Sequence, residues 1–165
     1  MVNMILKSLT LGLLGLPALS LAEDLGAMWG TAEAEAKYYP LIDIPIPPEV
    51  PMHPGSFEIL PDQKLAVGTR RGDVYVITGA FETPPNPTYE LFASGQDEIF
   101  GLSWKDGTLT AMQFGEITRI KDTDGDGSAD QFHALTNNWG YAEGHEFAFG
   151  SKHDRDGNIW VALGL

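Results

Sequence analysis

The chain has 165 residues and a formal net charge of −13, and it contains no cysteine. Such an acidic surface repels phosphate backbones, so nucleic acid and anionic membranes are poor candidate partners. The lack of cysteine excludes disulfides, thiolate metal sites and covalent haem attachment within this sequence. The apolar fraction of 43% is ordinary and allows a packed globular core.

Residues 1–22 have the three parts of a cleavable secretory signal peptide. Lys7 supplies a positive charge, and residues 9–19 form a mostly apolar run. Ser20 and Ala22 then place small residues at the cleavage positions. An uncleaved anchor is the alternative, but the apolar run is shorter than the ~20 residues that span a bilayer. We therefore predict cleavage after Ala22 and a periplasmic or secreted protein, with no membrane contact beyond the export signal.

Residues 23–55 are predicted to form a leader and a proline-rich strap. The leader, residues 23–37, is rich in Ala and Glu, and it is expected to be a short helix or a disordered segment. Prolines then recur between residues 40 and 54. Because proline has no amide donor and disfavours helix in the residue before it, we expect this strap to lie extended on a domain surface.

Residues 56–165 alternate short apolar strands with tight turns. Strands are predicted at 56–60, 65–69, 74–78, 89–93, 100–104, 109–114, 116–121, 131–135, from 147 onward, and 159–163. Segments that begin at Gln63, Gly107 and Gly157 align with one another. Four short strands repeated every ~40–50 residues are typical of β-propeller blades.

The predicted fold is therefore all-β, a partial β-propeller with two blades and part of a third. A β-sandwich is the alternative, although a sandwich needs no internal repeat. Because propellers close with roughly 4–8 blades, we expect the sequence to be the N-terminal fragment of a longer protein.

One loop has the pattern of a calcium site. Carboxylates occupy its positions 1, 3, 5 and 9, glycine occupies position 6, and a main-chain carbonyl is available at position 7. The corresponding residues are Asp122, Asp124, Asp126, Asp130, Gly127 and Ser128. His133 replaces the bidentate glutamate at position 12, and strands flank the loop, so it is not an EF-hand. An Asp/Gly turn without a cation is the alternative.

Residues 139–150 form a glycine-rich stretch that contains four aromatic residues and His145. In a propeller, a connection of this kind can reach the central pore, where His145 could act as a general base. The alternative is that the aromatic residues belong to the core and His145 is a hydrogen-bonded structural histidine. The Arg71-Gly72-Asp73 tripeptide is interpreted as a hairpin turn rather than an adhesion motif.

Three stretches, residues 60–75, 119–130 and 145–165, resemble exported propellers similar to glucose/sorbosone dehydrogenases. The nearest resemblance is to planctomycete and verrucomicrobial versions, which are often fused to a cytochrome c-like haem domain. In the related quinoprotein enzymes, a pore-facing histidine takes the substrate hydroxyl proton while hydride passes to pyrroloquinoline quinone (PQQ). His145, followed by Phe149-Gly150, matches the position of that histidine.

The resemblance implies a dehydrogenase-like protein that oxidises a sugar or polyol, with electrons passing to a haem domain outside this sequence. The alternative is a non-catalytic exported propeller that binds glycan or protein and holds a structural calcium ion.

Overall fold

The computed structural model describes residues 32–139 and 147–164, and these residues are almost entirely β. They divide into two units at Leu41 and Ile42. In the described part of the first unit, α1 (Ala32–Ala36) is a short helix. Among the described residues, no helix has the length and apolar character needed to cross a membrane. The predicted signal peptide, residues 1–22, lies outside the described residues.

Two four-stranded antiparallel sheets and one two-stranded sheet form the second unit. The first sheet contains β1 (Pro54–Ile59), β2 (Leu65–Thr69), β3 (Val74–Thr78) and β4 (Thr88–Ala93). The second contains β5 (Gly101–Lys105), β6 (Thr108–Met112), β7 (Ile117–Lys121) and β8 (Gln131–Thr136). The third contains β9 (Ala148–His153) and β10 (Ile159–Leu163). Within each sheet, strands that are consecutive in sequence are neighbours.

The predicted all-β class and the predicted strands are confirmed, with small differences at their ends. The clearest difference is the predicted strand 109–114, which is observed as Thr108–Met112. Its early end has a local cause, because the Gln113 amide donates to the Glu116 carbonyl at 2.9 Å and closes a turn. The Gln113 side chain also accepts a hydrogen bond from the Asp97 amide at 2.6 Å.

The internal sequence repeat has a counterpart in the pairing of the strands. In each sheet, the aligned apolar residue lies on the second strand and pairs with a residue near the end of the first. The corresponding pairs are Leu65–Ile59, Leu109–Trp104 and Ile159–His153. The alignment made from sequence therefore relates residues that occupy the same register position in the three sheets.

The hydrophobic core lies between successive sheets. Its main cluster joins the first and second sheets and contains Ala66, Val74, Ala93, Ile99, Leu102, Leu109, Ala111 and Ile120. A smaller cluster of Met112, Ile117 and Ala148 joins the second sheet to the third. The first strands are also in contact, β1 with β5 and β5 with β9.

A third cluster places the proline-rich strap against the first sheet. Ile44, Val50 and Met52 pack on buried residues of β2 and β3, including Val67 and Ile77. Tyr89 also fixes the strap, because its hydroxyl donates to the Pro45 carbonyl at 3.0 Å. These contacts hold part of the proline-rich segment against the first sheet.

Candidate metal site and neighbouring groups

The Asp/Gly loop, residues 122–130, connects β7 to β8 at the tip of a hairpin. Lys121 pairs with Gln131 at the ends of the two strands. The Asp130 amide donates to the Lys121 carbonyl at 3.1 Å, which closes the base of the loop. The flanking strands thus fix the start and the end of the loop, and its aspartates occupy a defined position.

Asp122 organises the interior of the loop. Its Oδ1 accepts a hydrogen bond from the Gly125 amide at 2.6 Å, and its Oδ2 accepts one from the Gly127 amide at 3.0 Å. Gly125 and Gly127 have φ values of +82° and +93°, a region that other residues rarely adopt. The two amide hydrogen bonds favour the charged carboxylate and lower the pKa of Asp122 below its ordinary value of 3.8.

Three aspartate side chains converge within this loop. One carboxylate oxygen each from Asp122, Asp124 and Asp126 lies within 4.8 Å of the other two. Such convergence brings like charges together, which is unfavourable without a cation between them. Carboxylate oxygens are also the preferred ligands of hard cations such as Ca²⁺. The geometry therefore fits a cation ligated by these three carboxylates.

The two other predicted ligands differ in their placement. The Asp130 carboxylate accepts hydrogen bonds from the Thr123 amide at 2.9 Å and from the Thr123 hydroxyl at 2.5 Å. It therefore fixes the first turn of the loop, and it is not part of the three-carboxylate group. Ser128 is exposed, and its amide donates to Asp126 Oδ1 at 2.8 Å.

The loop is also attached to the first sheet. The Ala129 amide donates to the Phe92 carbonyl at 2.7 Å, and Ala129 packs against the main core cluster. Asp122 and Gly127 lie beside a cleft of about 300 Å³ between the first and second sheets. An ion held by this loop would therefore order a connection between two sheets as well as a hairpin tip.

His145 lies outside the described residues, but aromatic residues on both sides of it in sequence are placed. Phe147 packs edge-on against Phe100, with ring centroids 4.9 Å apart, and also contacts Phe114 at 5.5 Å. The Arg70 guanidinium lies 5.4 Å from the Phe100 ring centroid. The Trp139 indole N–H donates to the Phe114 carbonyl at 3.4 Å. The aromatic residues of this stretch that are described thus contact one another or neighbouring main chain.

The Arg71-Gly72-Asp73 tripeptide forms the turn between β2 and β3. The Thr69 amide donates to the Asp73 carbonyl at 2.8 Å, and the Asp73 amide donates to Thr69 Oγ1 at 3.0 Å. Gly72 has a φ of +82°, and a Cβ there would lie 1.9 Å from the Gln96 carbonyl oxygen. These contacts explain the tripeptide as a tight hairpin turn.

Sequence reasoning did not identify the groups around His153, which lies at the end of β9. Its Nδ1 is buried and has no hydrogen-bond partner among the described residues. His153 lines a cleft together with Lys105 and Arg119, residues far apart in the sequence. No sequence pattern indicates this grouping, because Lys105 and His153 lie on strands of different sheets.

Protein-family models, curated proteins and solved structures were compared with this chain, and none of them matches it.

Proposed function

We propose that this chain forms consecutive blades of an exported, dehydrogenase-like β-propeller, and that the loop of residues 122–130 holds a structural calcium ion. The observation that carries the calcium proposal is the convergence of the Asp122, Asp124 and Asp126 carboxylates within 4.8 Å. Export, to the periplasm or outside the cell, is supported by the signal-peptide pattern of residues 1–22.

The propeller proposal is supported by three features of the sheets. Each four-stranded sheet is a simple meander, as in a propeller blade. The repeat relates equivalent register positions in all three sheets. The first strands contact one another in sequence order, as expected if they face a common axis. A β-sandwich, with two sheets packed face to face, accounts less well for three successive sheets with adjoining first strands.

Calcium is favoured over magnesium because three carboxylates converge on a short irregular loop rather than on a closed octahedral cage. Calcium accepts irregular cages of six to eight oxygens, whereas magnesium requires a tight octahedron and retains its water. His133, at position 12, lies on β8 and is exposed, so the bidentate carboxylate of stronger sites is missing. We therefore expect a dissociation constant on the order of 10⁻⁴ M, which suits an extracellular site.

The catalytic part of the proposal is supported by the family resemblance. His145 would accept the proton of a sugar or polyol hydroxyl, and PQQ would supply the hydride acceptor. Electrons would then pass to a haem domain beyond this sequence. Among the described residues, Phe147 directly precedes β9 and packs on Phe100, which directly precedes β5. The calcium proposal does not depend on this step, since a non-catalytic propeller that binds glycan or protein would use the same structural ion.

Calorimetric titration of the full-length protein with CaCl₂ tests the calcium proposal. Wild-type protein should bind one calcium ion per chain at this loop, and magnesium should bind more weakly. A variant with Asp124→Ala and Asp126→Ala should lose this binding, because only one of the three converging carboxylates remains.

A matched control removes the same charge elsewhere. Asp43 and Asp156 are exposed, and neither belongs to the three-carboxylate group. A variant with Asp43→Ala and Asp156→Ala should therefore bind calcium as the wild type does. Equal binding by the wild type and the Asp124/Asp126 variant would refute the proposal, as would the absence of binding at millimolar calcium.

A further inference from the structure

A cleft of about 330 Å³ lies between the second and third sheets, separate from the Asp/Gly loop. It is lined by Lys105, Asp106, Thr108, Thr110, Arg119, His153 and Gly157. The chain has only ten Lys and Arg residues against 23 Asp and Glu residues. A cleft that gathers two cations and a histidine but one carboxylate is therefore opposite in character to the protein as a whole.

The two cations of this cleft are not neutralised by partners among the described residues. The ion pairs among the described residues are Arg70 with Glu98 and Lys152 with Glu58, and none of these four residues lines the cleft. Lys105 is half-buried and Arg119 is exposed, and neither takes part in an ion pair. Lys105 and Arg119 line one cleft whose single carboxylate is Asp106, so the cleft keeps a net positive charge that favours an anion.

His153 adds an independent sign of an incomplete site. Its Nδ1 is buried without a hydrogen-bond partner among the described residues, and such an atom loses its hydration without compensation. Burial lowers the pKa of His153, and the charges of Lys105 and Arg119 lower it further, whereas Glu58 and Asp106 act in the opposite direction. The positive charges of Lys105 and Arg119 therefore act on the His153 imidazole.

The repeat shows that these polar residues are not required by the fold. Arg119 pairs with Thr110, and the equivalent pair in the first sheet is Val76 with Ala66. At the position of His153, which pairs with Ile159, the second sheet has Trp104. The corresponding cleft between the first and second sheets has Val76 and Trp104 at these two positions, and its charged lining residues are Asp62, Lys64, Glu90 and Asp122. Apolar residues thus suffice at the register positions of Arg119 and His153, and the charged residues of the first cleft are mostly acidic.

We infer that the cleft between the second and third sheets binds an oxyanion, a carboxylate or phosphate group, between Lys105 and Arg119. The guanidinium of Arg119 can donate two parallel hydrogen bonds to such a group. Lys105 contributes a flexible point charge, and it lies against Gly157, where a Cβ would be 3.3 Å from its Nζ. Asp106, at the exposed edge of the cleft, reduces the positive charge and favours a singly charged group over a dianion.

Nuclear magnetic resonance of the full-length protein, without added calcium, tests this inference. Acetate and inorganic phosphate are titrated separately, and the imidazole resonances of His153 are followed. With at least one of the two anions, the His153 resonances should shift, and the shift should reach a plateau as the anion concentration rises. The anion with the lower dissociation constant identifies the carboxylate or the phosphate as the preferred group.

Variants distinguish a built site from loose association with surface charge. The double substitution Lys105→Gln and Arg119→Gln should weaken binding by about tenfold, since loss of one partly exposed charge weakens an ion pair by up to about fivefold. Arg119→Lys should retain part of the affinity, because the charge stays while the bidentate geometry is lost.

The matched control removes two positive charges outside the cleft, by Lys64→Gln with Arg155→Gln. Lys64 lines the other cleft, and Arg155 is exposed in the turn before β10. This variant should bind the anion as the wild type does. The inference is overturned if the two double variants weaken binding equally, or if the His153 resonances remain unchanged at tens of millimolar of both anions.

Discussion

At the scale of single residues, Asp154 shows how one carboxylate can hold a turn together. Its Oδ1 accepts hydrogen bonds from the amides of Asp156 and Asn158, both at 2.9 Å. Its Oδ2 accepts from Asn158 Nδ2 at 2.9 Å and from Trp160 Nε1 at 3.0 Å. These bonds, with that of Trp160 contributing most, hold the pKa of Asp154 well below its ordinary value of 3.8.

Replacement of Asp154 should therefore destabilise the protein in a pH-dependent way. A group whose pKa is lower in the folded state stabilises that state above its unfolded pKa, and the effect fades as pH falls through the folded pKa. At pH 7, Asp154→Ala should have a lower melting temperature than the wild type, and Asp154→Asn, which keeps one oxygen acceptor, should lie between them. Thermal melts at falling pH should show the difference narrowing below pH 3.8. A constant difference across that range would contradict this assignment.

In the Asp/Gly loop, the placement of some aspartates could be predicted from the sequence and that of others could not. The spacing of Asp122, Asp124 and Asp126 was enough to predict that they converge, because alternate residues around a glycine turn face a common centre. The bonds from Thr123 to Asp130 were not predictable from spacing. A carboxylate at position 9 can face the ion or cap the loop, and the local main-chain path decides between them.

At the scale of elements, the contact between β5 and β9 depends on a close approach of two glycines. A Cβ on Gly101 would lie 2.2 Å from the Gly150 carbonyl oxygen, a main-chain atom that cannot rotate away. The Gly150 amide also donates to the Phe100 carbonyl at 3.1 Å, which links the second sheet to the third. This contact was not predicted from the sequence, because neither glycine lies in a turn motif.

The substitution Gly101→Ala should force these two strands apart. Overpacking of this kind costs roughly 1–3 kcal/mol, and denaturant unfolding would measure it. Amide hydrogen exchange at Gly150 should also accelerate, because its hydrogen bond to Phe100 is strained. Gly107→Ala is the comparison, since Gly107 has open space around it but a φ of +77°. Gly107→Ala should lose stability through backbone strain alone and leave amide exchange at Gly150 unchanged. Faster exchange at Gly150 in both the Gly101→Ala and the Gly107→Ala variants would contradict the close-approach argument.

Strand positions were largely predictable because the turns between them have recognisable chemistry. The predicted strands 65–69, 74–78 and 159–163 have the observed bounds. Turn residues such as Gly72 and Gly157 adopt φ values of +82° and +89°, which glycine tolerates and most residues do not. Strand ends set by side-chain networks, such as that of Gln113, were placed less well.

At the scale of the whole molecule, the order of strands followed from the sequence, but the assembly of the sheets did not. Consecutive short strands joined by tight turns predict meanders. Which face of each sheet packs against the next depends on side chains brought together from separate hairpins, as in the core cluster of Ala66, Leu102 and Ile120. The basic cleft was missed for the same reason, because Lys105 and His153 meet only when two sheets pack.

The central claim, successive propeller blades with calcium at a hairpin tip, is tested most directly by a crystal structure of the full-length protein grown with calcium. Anomalous diffraction should place one calcium ion at about 2.3–2.6 Å from carboxylate oxygens of Asp122, Asp124 and Asp126. The same map should show β1, β5 and β9 arranged around a common axis. An Asp/Gly loop without anomalous density at millimolar calcium, or sheets paired face to face as a sandwich, would contradict the account.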